Sequence, residues 1–561
     1  MNKLIECVPN FSEGRNLDTI KQITDAIEAV EGAKLLNVDS GNATNRTVVT
    51  FVGEPEVVVE AAFQAIKKAS ELIDMSKHKG EHPRMGATDV CPLIPIAGIS
   101  MEETAEFARE LAKRVGNELM IPAYLYENAT LIEGRNNLSE IRAGEYEGFF
   151  EKIKQKEWKP DFGPIEMNTK SGATVIGARD FLVAYNVNLN STSVRKANSI
   201  AFDVRERGRV KREGNPITGK ILKDAHGEPI YNPGTLKQVK AIGWFIEEYG
   251  VAQISMNLTN INITPLHIAF DEVCDKAQKR GLRITGSELV GLVPLKTMLD
   301  AGRYFLKKQQ RSSGVSNDEL IKIAIKTMGL DELSPFDPQK RIIEYLLVNK
   351  QDERLVNMNL KAFANETASE SPAPGGGSIA AYSGVLSASL TAMVANLSAN
   401  KRGWEERWEE YSEVAEKAQN LKNQLIQLVD EDTKAFNQIM QAFELPKTNN
   451  EEIVLRKQAI QDATQFAIET PFKTMQVTFS VYSLIQAMVE KGNPNSITDV
   501  GVAALCAHAA IAGAYMNVMV NLKDIDDSNF KSKIKGQAKE LLDVSTELSQ
   551  SLSQKVFQAI Q

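Results

Sequence analysis

Apolar positions in the first third of the chain recur with two alternating periods. Residues 4–8 and 47–52 read as strands, while 17–30 and 55–73 carry the i, i+3, i+4 spacing of amphipathic helices. A strand-like run at 91–96, a helix over 102–117 and a further strand at 123–126 continue the alternation. This order predicts an α/β layer structure, with a sheet on one side and helices on the other.

A second pass begins at 181–189 and runs through a helix at 193–207, strands at 241–245 and 253–257, a helix at 265–280 and an apolar stretch at 288–294. The intervening 208–237 segment is polar, glycine-rich and holds three prolines, so it reads as an inserted hairpin or mobile loop. The two passes share an order of elements but no strict sequence repeat. Polar breaks fall at 308–314 and 334–338.

From Ile379 onward only three prolines and six glycines separate long 3.6-period stretches, which predicts an all-helical bundle. The nearly charge-free stretches 378–400 and 500–520 should form its centre or a subunit contact. The second is long enough to cross a bilayer as a helix. Its alanines, Gly501, Gly513, His508 and Asn517 instead describe a helix packed closely inside a protein.

A length of 561 residues suits three or four compact units. Hydrophobic content of 43%, charged content of 25% and a net charge of -8 fit an ordinary globular protein and argue against a general nucleic-acid binder. The basic run from Arg205 to Arg212 reads as a solvated loop. Cys7, Cys91, Cys274 and Cys506 lie far apart, suggesting neither a zinc site nor a disulfide framework. The N-terminus turns polar too soon for a signal peptide, and a reducing cytoplasm fits best.

Candidate chemistry concentrates in 74–95, where two of five histidines, His78 and His82, stand beside Glu81 and Arg84 in a turn-rich segment. A histidine with its ordinary pKa of about 6.5 can take and give a proton near neutrality. Solvated loop histidines would look the same.

The wording of this segment, Gly80-Glu-His-Pro-Arg84, resembles the formimidoyltransferase-cyclodeaminase family. So do Val8-Pro-Asn-Phe-Ser-Glu-Gly-Arg15, Asn45-Arg-Thr-Val48, Ile141-Arg-Ala-Gly-Glu-Tyr146, Pro160-Asp-Phe-Gly-Pro164, Gly172-Ala-Thr-Val-Ile-Gly-Ala-Arg179 and Gly286-Ser-Glu-Leu-Val-Gly-Leu-Val-Pro294. The resemblance implies two ferredoxin-like α/β subdomains with a groove between them, followed by an all-α helical bundle domain. The implied bounds are 1–180 and 181–328 for the transferase, 329–352 for a linker and 353–561 for the cyclodeaminase.

It also implies roles. His82 is the general acid/base that moves protons as the 5-nitrogen of tetrahydrofolate takes the formimidoyl group and glutamate leaves. His78 has no matching role. Gly163, Pro164 and Gly172 belong to a matching folate-binding segment, whose glycines would admit a planar pterin. An interdomain loop with turn glycines is a compatible reading. Asn10, Asp39 and Arg46 are substrate-binding candidates, although Arg46 suits an internal salt bridge as well as a substrate carboxylate.

In the helical half, Ala373-Pro-Gly-Gly-Gly-Ser378 precedes a long apolar helix, so Gly375, Gly376, Gly377 and Ser378 would present backbone N–H groups to an anion or a polar ring. On the helix that follows, Leu421, Leu425, Leu428, Asp432, Ala435, Phe436, Ile439 and Phe443 share one stripe. Asp432 interrupts that face, where desolvation would raise its pKa. A buried cap or ion pair would interrupt it equally. By resemblance Asp432 is the catalytic aspartate of ring closure to 5,10-methenyltetrahydrofolate with loss of ammonia. Asp430 can pair with Lys434 one turn on.

Tetrahydrofolate, with or without a polyglutamate tail, is then a co-substrate, and no metal or bound cofactor is expected. Partners are small molecules and further copies of the chain, as a homodimer or higher oligomer, with no nucleic acid or membrane. The alternatives for the helical half are a methenyltetrahydrofolate cyclohydrolase or a non-catalytic dimerisation module.

Overall fold

The protein is described by a computed structural model covering residues 3–42, 44–80, 83–133, 135–215, 218–247, 249–347 and 355–561. The chain divides into two compact units, Met1–Thr297 with Met328–Leu346, and Met298–Thr327 with Leu347–Gln561.

In the first unit, strand Leu4–Cys7 and its continuation Asn10–Phe11 lie antiparallel between Arg46–Gly53 and Thr88–Ala97. Strand Lys34–Gly41 pairs along the other side of Arg46–Gly53. With helices Leu17–Glu28 and Pro55–Leu72 this makes a βαββαβ unit whose strands run second, third, first, fourth across the sheet, the ferredoxin-like order. Thr174–Ala178 and then Ala123–Glu127 extend the sheet in parallel past Thr88–Ala97.

Local signals set the helix starts. Asn16 caps Leu17–Glu28, and Ser100 with Glu103 forms a capping box on Met101–Glu118. Alternation then turns Ile5, Cys7, Val49, Phe51, Cys91 and Leu93 into the core. Each of the aliphatic and aromatic side chains among these, fully buried, contributes roughly 1.5–3 kcal/mol. The residues between them face the other way, and that face becomes important below.

The same order recurs in Val183–Leu189, Val194–Val204, Val239–Ile246, Val251–Leu258, Leu266–Gln278 and Ile284–Val290, whose strands form a four-stranded antiparallel sheet. Within the 208–237 segment, Arg209–Val210 pairs antiparallel with Tyr231–Asn232, giving the hairpin form of the two readings. Two strands went unread in the sequence. Lys34–Gly41 is an edge strand without a buried side chain, so it lacks alternation, and Thr174–Ala178 is short and buried throughout.

The second unit is helical. Gly376–Ala399 packs along Trp408–Glu444 and Ile497–Asn521, with Asn450–Phe479, Val481–Lys491 and Ser528–Ala559 around them. Small residues allow the close approach: a Cβ on Gly384 would stand 2.7 Å from Thr478 Oγ1, and one on Gly513 3.1 Å from Ala380. Gly376–Ala399 and Pro494–Asn521 are each long and apolar enough to cross a membrane by length and composition. Here they form the middle of the bundle, with Leu386, Met393 and Leu397 of the first and Leu505 and Met516 of the second left exposed.

Residues 298–327 belong to this unit rather than to the α/β one. Ser313 donates its backbone N–H to Ser412 Oγ at 3.0 Å, and Asn396 Nδ2 donates to the Gly314 carbonyl at 2.8 Å. The chain thus crosses to the helical unit ahead of the sequence-based bound at 328 and returns for 328–346.

Candidate active sites

The first site lies between the bare faces of the two sheets. A cavity of about 590 Å³ is lined by alternate residues of each strand: Glu6, Val8 and Asn10; Asn37, Asp39 and Gly41; Arg46, Val48 and Thr50; and from the second sheet Ala184, Asn186, Ser255 and Asn257. Period-2 alternation is what delivers this set. On the inner strands the intervening residues are spent on the helix-covered core, whereas on the edge strand Lys34–Gly41 the intervening Val38 and Ser40 are exposed.

Its charge is organised by Asp89, which is wholly buried. Asp89 Oδ2 accepts from Arg46 Nη1 at 2.5 Å and from Arg142 Nη2 at 2.8 Å, and Oδ1 accepts the Met85 backbone N–H at 3.0 Å. Arg46 Nε donates to Asn10 Oδ1 at 3.0 Å. Arg46 therefore makes the internal salt bridge of the two readings. Around Asp89, one carboxylate against two guanidiniums leaves a local surplus of positive charge; Arg179 lines the same cavity, as do the carboxyls of Glu6 and Asp39. Burial lowers the Arg142 guanidinium, partly offset by Asp89. Such a wall suits substrates carrying carboxylates. Asp39 and Asn10 line the same cavity, so three sequence-based candidates come together there.

His82 lies outside the described residues. Its flanks are fixed beside the cavity rim. A Cβ on Gly80 would meet the Thr44 carbonyl at 2.3 Å, and Asn45 Nδ2 donates to the Lys79 carbonyl at 3.0 Å. On the other side Arg84 is buried and paired with Glu145 at 3.0 Å and Glu147 at 2.7 Å. His78 receives a hydrogen bond from Arg84 Nε on Nδ1 at 3.2 Å, so the Nε2 proton points to the Asn45 carbonyl at 3.0 Å. Burial lowers its pKa, holding it neutral with both ring nitrogens engaged. That is a structural role.

Gly163, Pro164 and Gly172 do not line the cavity. Gly163 (φ 89°) sits on helix Met101–Glu118, where a Cβ would approach Gly116 Cα to 3.0 Å. Gly172 (φ 71°) bridges to Gly86, and a Cβ there would stand 2.3 Å from the Met85 carbonyl. The close approaches that demand glycine are thus to the chain's own backbone, one of them just beyond the histidine segment.

The second site lies in the helical unit. Gly375 caps helix Gly376–Ala399, and Asp432 approaches its first turn from helix Trp408–Glu444. Ser378 Oγ donates to Asp432 Oδ2 at 3.1 Å. Burial raises the Asp432 carboxyl, and hydrogen bonds from the Ser378 hydroxyl and backbone pull it down only in part. Desolvation thus outweighs the helix N-terminus, which favours the anion. Asn517 joins them: a Cβ on Gly376 would stand 3.6 Å from Asn517 Nδ2.

Two details of the stripe are corrected. Phe436 and Phe443 are exposed, because the C-terminal third of this 37-residue helix has few buried positions. Asp430 is not committed to Lys434; its carboxylate accepts the Leu355 and Val356 backbone N–H groups at 2.9 and 3.3 Å. Sequence reasoning also left Asp89, Arg142 and Glu6 without roles. The available signal was a charged residue inside an apolar strand, at Glu6 between Ile5 and Cys7 and at Asp89 before Val90.

An arginine-lined cavity in an α/β unit, joined in one chain to a half-buried carboxyl at a glycine-rich helix start, defines a two-centre enzyme for small charged substrates. The family model for the formiminotransferase domain, N-terminal subdomain, matches residues 4–179, that for the formiminotransferase domain 184–348, and that for formiminotransferase-cyclodeaminase 359–540. The formimidoyltransferase-cyclodeaminase of Mus musculus is 43% identical over 97% of this chain and 96% of its own length. The glutamate formimidoyltransferase of Thermoplasma acidophilum is 44% identical over 54% of this chain and 92% of its own. A methenyltetrahydrofolate cyclohydrolase of Methylorubrum extorquens is 35% identical over 36% of this chain and 96% of its own. The chain belongs to the formimidoyltransferase-cyclodeaminase family.

Proposed function

We propose that the α/β unit transfers the formimidoyl group of N-formimidoyl-L-glutamate to the 5-nitrogen of tetrahydrofolate, and that the helical unit closes the product to 5,10-methenyltetrahydrofolate. In the first step the 5-nitrogen attacks the formimidoyl carbon, loses its proton to His82, and the same proton is returned to the departing glutamate nitrogen. The surplus guanidinium charge around Asp89 supports binding of the glutamate carboxylates.

In the second step the 10-nitrogen attacks the amidine carbon. Ammonia takes the 10-nitrogen proton and one further proton, leaving the methenyl cation. Asp432, protonated, supplies a proton to the departing nitrogen and as carboxylate receives the one from the 10-nitrogen. The observation that carries this assignment is the meeting of Asp432 with Gly377 and Ser378, a raised carboxyl beside backbone donors.

This reading makes the chain a transferase and a lyase of histidine breakdown, working in the cytoplasm on small molecules with tetrahydrofolate as co-substrate. The large apolar residues left exposed on the central helices support a homodimer through the helical half.

Anaerobic incubation with formimidoylglutamate and tetrahydrofolate tests the assignment, following glutamate, ammonia and methenyltetrahydrofolate together. The native sequence should yield all three, His82→Asn none, and Asp432→Asn glutamate alone. Glutamate without ammonia from the native sequence would reassign the helical half.

A further inference from the structure

Glu6 has no part in the chemistry above, yet it occupies an unusual place. It stands on strand Leu4–Cys7 between Ile5 and Cys7, whose side chains enter the helix-covered core. Alternation turns Glu6 to the opposite face, onto the cavity wall between Val52 and Ile94 of the neighbouring strands. It is 1% exposed, and its Oε2 has no hydrogen-bond partner among the described residues. Arg179 and Glu344 are the charged groups that bear on it, with opposite sign, and burial pushes its carboxyl up to about 7.

A buried carboxyl oxygen lacking a donor is unfavourable in a folded chain. Glu6 lines the cavity, so a ligand seated there can bring N–H groups to its carboxyl. Both substrates of the proposed transfer carry paired N–H donors on a planar carbon. In tetrahydrofolate these are the 2-amino group and ring N3–H, a guanidine-like edge; in formimidoylglutamate they are the two nitrogens of the amidine. A carboxylate accepts such a pair as a two-pronged hydrogen bond.

We propose that Glu6 is a substrate-binding residue of the transferase cavity, its carboxylate receiving the paired N–H groups of an amidine- or guanidine-type edge. The proposal rests on the transferase reading of that cavity. Glu6→Gln in the full chain tests it, with glutamate release giving KM for each substrate. Trp244 on the cavity wall gives binding by fluorescence quenching. A rise of about tenfold or more in KM for tetrahydrofolate alone supports the proposal with the pterin as ligand. The same rise for formimidoylglutamate alone supports it with the amidine.

Unchanged constants for both overturn it. The unaltered chain gives an independent check, using tetrahydrofolate with its 2-amino group replaced by methyl, and N-formylglutamate as the oxygen analogue of the donor. If both bind as tightly as their parents, the proposal falls without recourse to a variant. Absence of glutamate release from the native sequence would instead remove the transferase reading itself.

Discussion

Gly377 leaves vacant the volume that the Asp432 carboxylate fills: a Cβ built on Gly377 would stand 2.0 Å from Asp432 Oδ1 and 2.5 Å from its Cγ. The glycine and the acid are therefore one device. The acid can lie against the first turn of helix Gly376–Ala399 only because that position has no side chain.

Gly377→Ala should push the carboxylate off Ser378. We expect ammonia release to fall about 100-fold from misplacement alone, with a stability loss of about 1–3 kcal/mol from overpacking. Glutamate release should be unchanged. Parallel assays of the two products, with thermal melting, check this.

Ser378→Ala removes a hydrogen bond that lowers the Asp432 carboxyl, and burial continues to raise it. The ammonia step uses the protonated acid, so its rate should decline at a higher pH in the variant than in the native sequence. A pH profile of ammonia release reads the shift, and a profile moved to lower pH would contradict the acid role.

Asp89→Asn leaves Arg46 and Arg142 facing each other without their shared carboxylate. Breaking a buried pair of this kind costs about 3–5 kcal/mol. The variant should melt early and, below its melting point, bind formimidoylglutamate with a raised KM. Steady-state kinetics of glutamate release at low temperature measures it.

Glu6 predicts a pH dependence of stability. Its carboxyl lies near 7 in the fold against an ordinary 4.5, so between these values the folded state holds a proton that the unfolded chain has lost. Stability should fall as pH rises through that window and level off above it, by up to roughly 3 kcal/mol. Glu6→Gln should abolish this part of the decline, as chemical denaturation between pH 5 and 8 would show. If the native sequence and the variant keep parallel profiles, Glu6 is not protonated in the fold.

Most elements were legible because their signals are local. Helix Met101–Glu118 begins at a Ser100–Glu103 box, and Val251–Leu258 alternates cleanly. Lys34–Gly41 was not, because an edge strand with both faces partly wet has no reason to alternate. The candidate sites were legible in part. Asp432 announced itself as a charge on an apolar stripe, but Phe436 and Phe443 share that stripe and lie exposed, since periodicity does not say where a bundle ends.

By itself the sequence determined the periods of its helices and strands, the division into an α/β part and a helical part, and the residues able to carry protons. These follow from spacing and side-chain chemistry over a few turns of chain. The tertiary structure decided which of those residues meet. It set Asp432 against Gly377 and Ser378, joined Arg46 and Arg142 through Asp89, and turned Glu6 onto a cavity wall. Such pairings depend on register and packing between segments distant in the chain. They are fixed by close-packed volumes and by the need to satisfy buried polar groups, which no local pattern records.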